Sequence, residues 1–164
     1  MANANITGFS VGQDLRTLLI TGPFGQIDST LLGRLEEFNA HPIISNLTVT
    51  PVNNGGLQLL RNVYHGWDGT MTFARYNNNL LNFQSAIMAI FNLQGQESYF
   101  SIEAVVVENI TLAVNTLTFV NAVIHNVNTG DFTGAKQVNQ SFAFRAQQLL
   151  VNGNASTSPQ LVGG

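Results

Sequence analysis

Charge is what this chain most lacks. Lys, Arg, Asp and Glu make up 9% of its 164 residues, against about 25% in ordinary soluble domains. Amides take their place, with Asn77-Asn78-Asn79 as the densest run. A free monomer keeps itself dispersed largely by charge, so the deficit points to an outer surface covered by further copies of the chain. The six basic residues, Arg16, Arg34, Arg61, Arg75, Lys136 and Arg145, are scattered, and the formal net charge is −3. Tight nucleic-acid binding needs clustered cations, and none are clustered here. Cysteine is absent, which removes disulfides, thiol nucleophiles and thiolate metal sites. No apolar run reaches the ~18 residues of a membrane-spanning helix, so no membrane partner is expected. The first residues, MANANITGFS, carry no charged segment followed by an apolar one, and a cytosolic origin is expected. The N-x-S/T triplets at Asn5, Asn46, Asn109, Asn139 and Asn154 are read as chance products of an Asn- and Thr-rich chain.

What is present is mostly β pattern. DLRTLLITG (14–22) is an apolar run closed by Gly22-Pro23, while LLGRLEEF (31–38) fits a helical turn or a strand equally. IISNLTVTPV (43–52) alternates up to NNGG (53–56), and LQLLRNVY (57–64) returns antiparallel to it. Gly66 and Gly69 bracket Trp67-Asp68 as a glycine turn feeding the alternating run Met71–Arg75. The period then changes. Leu80, Phe83, Ile87 and Phe91 recur at helical spacing between Asn79, a candidate N-cap, and Gly95, a candidate C-terminal cap. Strands are predicted over 99–108, over 115–128 with Leu117, Phe119, Asn121 and Val123 on one face, and over 135–151. The fold class is mainly β with one α-helix, an antiparallel β-sandwich or barrel of six to eight strands in hairpins, flanked by the helix. One domain is expected over 1–151, with a flexible C-terminal tail over 152–164.

The stretch YHGWDGTMTFARY (64–76) looks most like chemistry, since it holds His65, Asp68 and the only tryptophan. Acid–base catalysis needs such a pair within hydrogen-bond reach in a pocket, and the sequence offers no second element to build one. His41, His65 and His125 fall in different elements without metal-ligand spacing. No serine has a G-x-S-x-G setting, and neither TGPFG nor NNGG is a phosphate loop. The reading is therefore not an enzyme, with no catalytic residue, cofactor or metal. Trp67, Phe73, Phe83, Phe91, Phe142 and Phe144 are the expected core anchors, with Trp67 and Phe73 set against the helix. His65 and Asp68 are expected at a solvent-facing or inter-subunit end.

The order of elements adds a resemblance. GTMTFARY, an amphipathic helix, YFSIEAVVVE, LTFVNAVIHNVNTGDFTG and VNQSFAFRAQQLLV follow one another across residues 43–151. This succession resembles the tail tube proteins of contractile-tailed bacteriophages. TGPFGQIDSTLLGRLEEF (21–38) is then expected to be a local insertion. The resemblance implies a structural virion protein, assembled in the host cytoplasm, whose hexameric rings stack into a tube. Inner strands from each copy would join one β-barrel, and genomic DNA would pass through it without specific binding. The implied partners are further copies, the tail sheath protein, and baseplate and tail-terminator proteins. Twenty-four strands ~4.8 Å apart and tilted ~40° would close a barrel roughly 50 Å across, wide enough for a duplex. On the closing strand, Gln137, Asn139, Ser141, Arg145 and Gln147 would line the lumen, with Arg145 paired to a carboxylate. The family's closing strands are often acidic, and here amides stand instead. Two other readings stay open. One is a baseplate tube-initiation protein or the tube of a related contractile injection system, and the other is a β-sandwich module binding carbohydrate or protein.

Overall fold

The computed structural model describes residues 15–52, 55–107 and 112–155. The chain runs β1 (Leu15–Gly22), β2 (Gly25–Asp28), a short 3-10 turn (Ser29–Leu31), β3 (Arg34–Val49), β4 (Leu59–Ala74), α1 (Asn79–Gln94), β5 (Phe100–Val107), β6 (Val114–Asn128), β7 (Asn139–Ala146), β8 (Gln148–Val151) and β9 (Asn154–Ala155). All pairing is antiparallel. It is mainly antiparallel β with one helix, as the sequence predicts. The turn and strand at 152–155 occupy positions where a tail was expected to begin, and residues 156–164 lie outside the described ones.

Two sheets share one strand. The first half of β6 lies between β5 and β8, and its second half pairs with β7. Asn121 sits between the halves in the left-handed region, φ 52, which an asparagine tolerates better than most residues. This residue shifts the phase of the strand. Leu117 and Phe119 face the core before it, whereas Ala122 and Ile124 do so after it. The single face expected for Leu117, Phe119, Asn121 and Val123 is thus broken at Asn121. The predicted strand over 135–151 is likewise two strands. At Gln147 the chain leaves β7, its N–H bonds the carbonyl of Val120, and β8 joins the other sheet. Strands that bend from one sheet into the other make the corners of such sandwiches.

The core is aromatic. Phe142 and Phe144 of β7 and Met71 and Phe73 of β4 are fully buried, with Phe119 and Phe100 facing them from the other sheet. Phe73 stacks on Phe142, and Phe119 meets Phe144 edge-on at 5.4 Å between centroids. Contacts of this kind add to the area term. Phe83 of α1 closes one end against Phe100 and Phe142. Two expected anchors differ. Trp67 is half-buried and packs edge-on to Phe119 rather than on the helix. Phe91 is 48% exposed, since the helix buries only Leu80 and Phe83 and packs Ile87 partly on the core. Gly95 caps the helix at φ 65, as expected, and its N–H bonds Phe91. Asn79 is instead the first helical residue, with Asn77 Oδ1 accepting from its N–H.

The glycines of GWDG form no turn. β4 continues through them, with Gly66 inside the register shift between Trp67 and Tyr64, and both serve close approach. At Gly66, φ is +111 and a Cβ would lie 2.4 Å from the carbonyl oxygen of Ala146. The ring of Phe144 lies over Gly69, so a Cβ there would come within 2.3 Å of it. Nor is 21–38 an insertion set apart from the fold. It forms the β1–β2 hairpin, the 3-10 turn capped by Asp28, and the start of β3. The Asn79 side-chain amide donates to Leu31 and the Tyr76 hydroxyl to Thr30, tying this segment to the start of α1.

Candidate functional site

The second half of β6, β7, β4 and β3 form a four-stranded sheet in that order. Its inner face carries the phenylalanines, so alternation turns the intervening residues outward. These are Val123 and His125 on β6, Asn139, Ser141, Ala143 and Arg145 on β7, Asp68, Thr70 and Thr72 on β4, and Glu37, Asn39 and His41 on β3. The face is polar and mostly uncharged. Side chains link across it: the Thr70 hydroxyl donates to Asn39, whose amide donates to Glu37.

Arg145 and Asp68 are register partners one rung from the end of the β4–β7 pairing, and the guanidinium donates to both carboxylate oxygens at 2.8 and 3.2 Å. These hydrogen bonds hold Asp68 below the usual carboxylate range against a slight desolvation, with the charges of Arg145, His41 and His125 adding to the effect. Asp68 in turn raises Arg145. The carboxylate expected to neutralise Arg145 is therefore in the same chain and is Asp68, on the outward face one rung from the end of the β4–β7 pairing.

Of the five residues singled out on the closing strand, three share this face: Asn139, Ser141 and Arg145. Gln137 precedes β7 and donates to Asn139, while its oxygen accepts from Arg34. Gln147 sits at the sheet switch and accepts from Asn121. Gln140, which alternation along 137–145 puts in phase with Phe142 and Phe144, is fully buried, and its amide donates to the Thr129 carbonyl. His65 shares a hydrogen bond with Ser45, 2.7 Å across the hairpin, and Asp68 faces Arg145 instead. Beside them, His65, Tyr99, Asn121, Arg145 and Gln147 line an open hollow of about 520 Å³. Serine and histidine meet there without a carboxylate to orient the imidazole, which is not a nucleophilic triad. Among the described residues no cluster of His, Cys, Asp or Glu could hold a metal ion, and no helix is long and apolar enough to cross a membrane.

Two further features bear on assembly. The sheet ends in open edges. Among the described residues, β3 pairs only with β4, and β5 leaves β6 at Ala122, so the second half of β6 is paired there on one side only. The β3–β4 hairpin also outruns its neighbours. β7 stops opposite Trp67, yet β3 and β4 continue from Ile44↔Tyr64 to Val49↔Leu59. This arm, roughly 20 Å long at ~3.3 Å per residue, exposes Ile44, Leu47, Val49, Leu59, Leu60 and Tyr64. The hairpin itself was predicted, but its lack of cover was not.

No family model matches the sequence, and no curated protein does. Solved structures do match by shape. A chain of the PVC sheath–tube complex, an extracellular contractile injection system in the extended state, superposes with a TM-score of 0.61 at 9% identity, covering 92% of this chain and 98% of that one. A chain of the tube-terminating cap of the anti-feeding prophage gives 0.57 at 12% identity, covering 87% and 93%. A chain of the tail of an empty GTA particle, computed with C6 symmetry, gives 0.56 at 10% identity, covering 87% and 98%. The fold of this chain is the fold found in components of contractile injection systems and of the GTA tail.

Proposed function

We propose that this chain is the repeating subunit of a contractile-tail tube. Copies join edge to edge into a ring, six to a turn, and rings stack into a conduit that DNA traverses. The polar face lines the lumen, and the outer side meets a sheath, with baseplate and terminator proteins at the ends. The virion tail, assembled in the host cytoplasm, is the expected location. The observation that carries this reading is the four-stranded sheet itself, apolar inside, polar outside and open at both edges. An open edge invites pairing with another chain, and closure into a barrel removes it. β3 of one copy beside the second half of β6 in the next continues the sheet without limit until it closes. The lining suits transit: guanidiniums are few, Arg145 is neutralised by Asp68, and duplex DNA meets no cationic stripe.

Electron microscopy of the purified protein tests the class. Tubes support the repeating subunit, single rings point to a terminator or initiator, and isolated small particles refute both. A cross-link tests the edge. The chain has no native cysteine, so Asn39→Cys with His125→Cys introduces only two thiols. Within one copy they lie three strands apart, roughly 14 Å, which no disulfide spans. Oxidation to ladders of covalent oligomers supports the β3–β6 contact, and a purely monomeric band under conditions that form rings removes it.

A further inference from the structure

Three places in the chain put glycine directly after Asn or Asp: Asn54-Gly55, Asp68-Gly69 and Asn152-Gly153. At such a pair the glycine nitrogen can attack the side-chain carbonyl carbon of the residue before it, because glycine carries no Cβ to obstruct the approach. The attack needs an unengaged glycine N–H, a side chain at liberty to turn, and a backbone that can follow. The fold withholds these from two of the three pairs. Gly69 lies in β4 between two strands, paired with Ala40 on one side and Phe144 on the other. A residue of a middle strand commits its N–H to one of its neighbours, and the Asp68 carboxylate is held by Arg145. Asn152 is fixed three times over. Its N–H donates to the Thr116 carbonyl, its Oδ1 accepts from the Thr116 N–H at 2.9 Å, and its Nδ2 donates to Asn115 at 3.2 Å. Asn152 and Gly153 are also the two residues of the turn between β8 and β9, closed by the Val151↔Asn154 pair.

Asn54-Gly55 has a different setting. β3 ends at Val49 and β4 begins at Leu59, so residues 50–58 make a wide connection rather than a two-residue turn. Asn54 itself lies outside the described residues, whereas Gly55 and Gly56 are described and exposed. Both stand in the left-handed region, at φ +57 and +83, with no heavy atom of the described residues within 4 Å of where a Cβ would be. Among the described residues no backbone hydrogen bond engages the Gly55 N–H.

We infer that Asn54 is a self-modification site, which the folded chain converts without an enzyme to aspartate and isoaspartate while Asp68 and Asn152 stay unchanged. The Gly55 nitrogen gives up its proton to solvent base and bonds to Cγ of Asn54. The side-chain nitrogen takes up a proton and leaves as ammonia, which closes a five-membered succinimide. Water then adds to one of the two ring carbonyls and breaks its bond to the Gly55 nitrogen. Opening at Cγ restores the normal main chain and yields aspartate. Opening at the backbone carbonyl yields isoaspartate, whose main chain runs through the side chain and is one carbon longer. No electrons are exchanged with an outside reagent, and water is the only co-reactant. Each conversion adds one negative charge to a chain of formal charge −3, in the loop that joins the two strands of the arm.

Ageing of the full-length protein in mildly alkaline buffer tests this, with isoelectric focusing to count charges and peptide mass spectrometry to place them. One acidic band should grow, and its new carboxylate should map to Asn54. An isoaspartyl methyltransferase with a labelled methyl donor should mark the same peptide. Conversion at Asn54 should run at least about tenfold faster than at Asn152, whose release requires the β8–β9 turn to open. In guanidinium chloride the two rates should converge, since the unfolded chain protects neither. Asn54→Gln, with a melt to check folding, should remove the band. Equal rates at Asn54 and Asn152 in the folded chain overturn the inference, as does an acidic band that persists in Asn54→Gln. A rate gap that survives unfolding would show that local sequence and not the fold selects Asn54, and would overturn it too.

Discussion

The two halves of the β3–β4 hairpin are written in the same alternating code and meet opposite fates. In the inner half, Phe38, Met71 and Phe73 face a second sheet and are buried or packed on the core. In the outer half, Ile44, Leu47, Leu59 and Leu60 have no layer above them. The strands are continuous, and they pair along their length with one register shift between Leu35 and Glu37 and another between Pro42 and Ile44, where the two halves meet. What differs is the neighbour: β7 pairs with the inner half as far as Trp67, and among the described residues no strand pairs with β4 beyond it except β3. Strand pattern therefore specifies a face, and only the neighbouring element specifies whether that face is core or contact surface.

The comparison breaks most sharply at Phe142. It is fully buried against Phe73 and Phe83, so Phe142→Glu places an unpaired charge in the core at a cost of several kcal/mol. The expected result is loss of the cooperative thermal transition, and a native melt would show that the inner face is misassigned. Next comes Phe73→Ala, expected to cost about 3–5 kcal/mol by the loss of buried ring and the cavity left. Chemical denaturation measures it. Leu60→Ala is the matched change in the arm. At 76% exposure it should move monomer stability by less than about 0.5 kcal/mol, while weakening assembly as read by sedimentation.

On the polar face the effects shrink. Asp68→Asn removes a surface ion pair worth roughly 0.5–1 kcal/mol. Because Asp68 is depressed when folded, its contribution is present above its unfolded value near 3.9 and is lost as pH falls through the lower folded value. The stability gap between wild type and Asp68→Asn should thus be level at neutral pH and close below about pH 4. A gap that widens on acidification would reverse the assignment. Smallest of all, Asn139→Glu on the outer face should leave stability within about 0.5 kcal/mol, with melting temperature as the readout. Insolubility there, with soluble Phe142→Glu, would mean the faces of β7 are exchanged.

Much of this was legible because it is periodic. The helix between 79 and 94, the strand at 100–107, the alternation of β7 and the burial of Phe73, Phe83, Phe142 and Phe144 follow from spacings that only one face of an element can satisfy. The scarcity of charge belongs with them, since composition needs no coordinates. The sequence could not locate the places where periodicity is interrupted from outside. Asn121 turns β6 over, and Gln147 hands the chain from one sheet to the other. Gly66 and Gly69, which read as a turn, make room for Ala146 and Phe144, residues almost eighty positions away. The Asp68–Arg145 pair spans a similar separation. Local pattern determined which side chains share a face. Which faces meet, which edges stay open and which apolar residues remain uncovered depend on contacts between distant segments, and only the tertiary structure decided them.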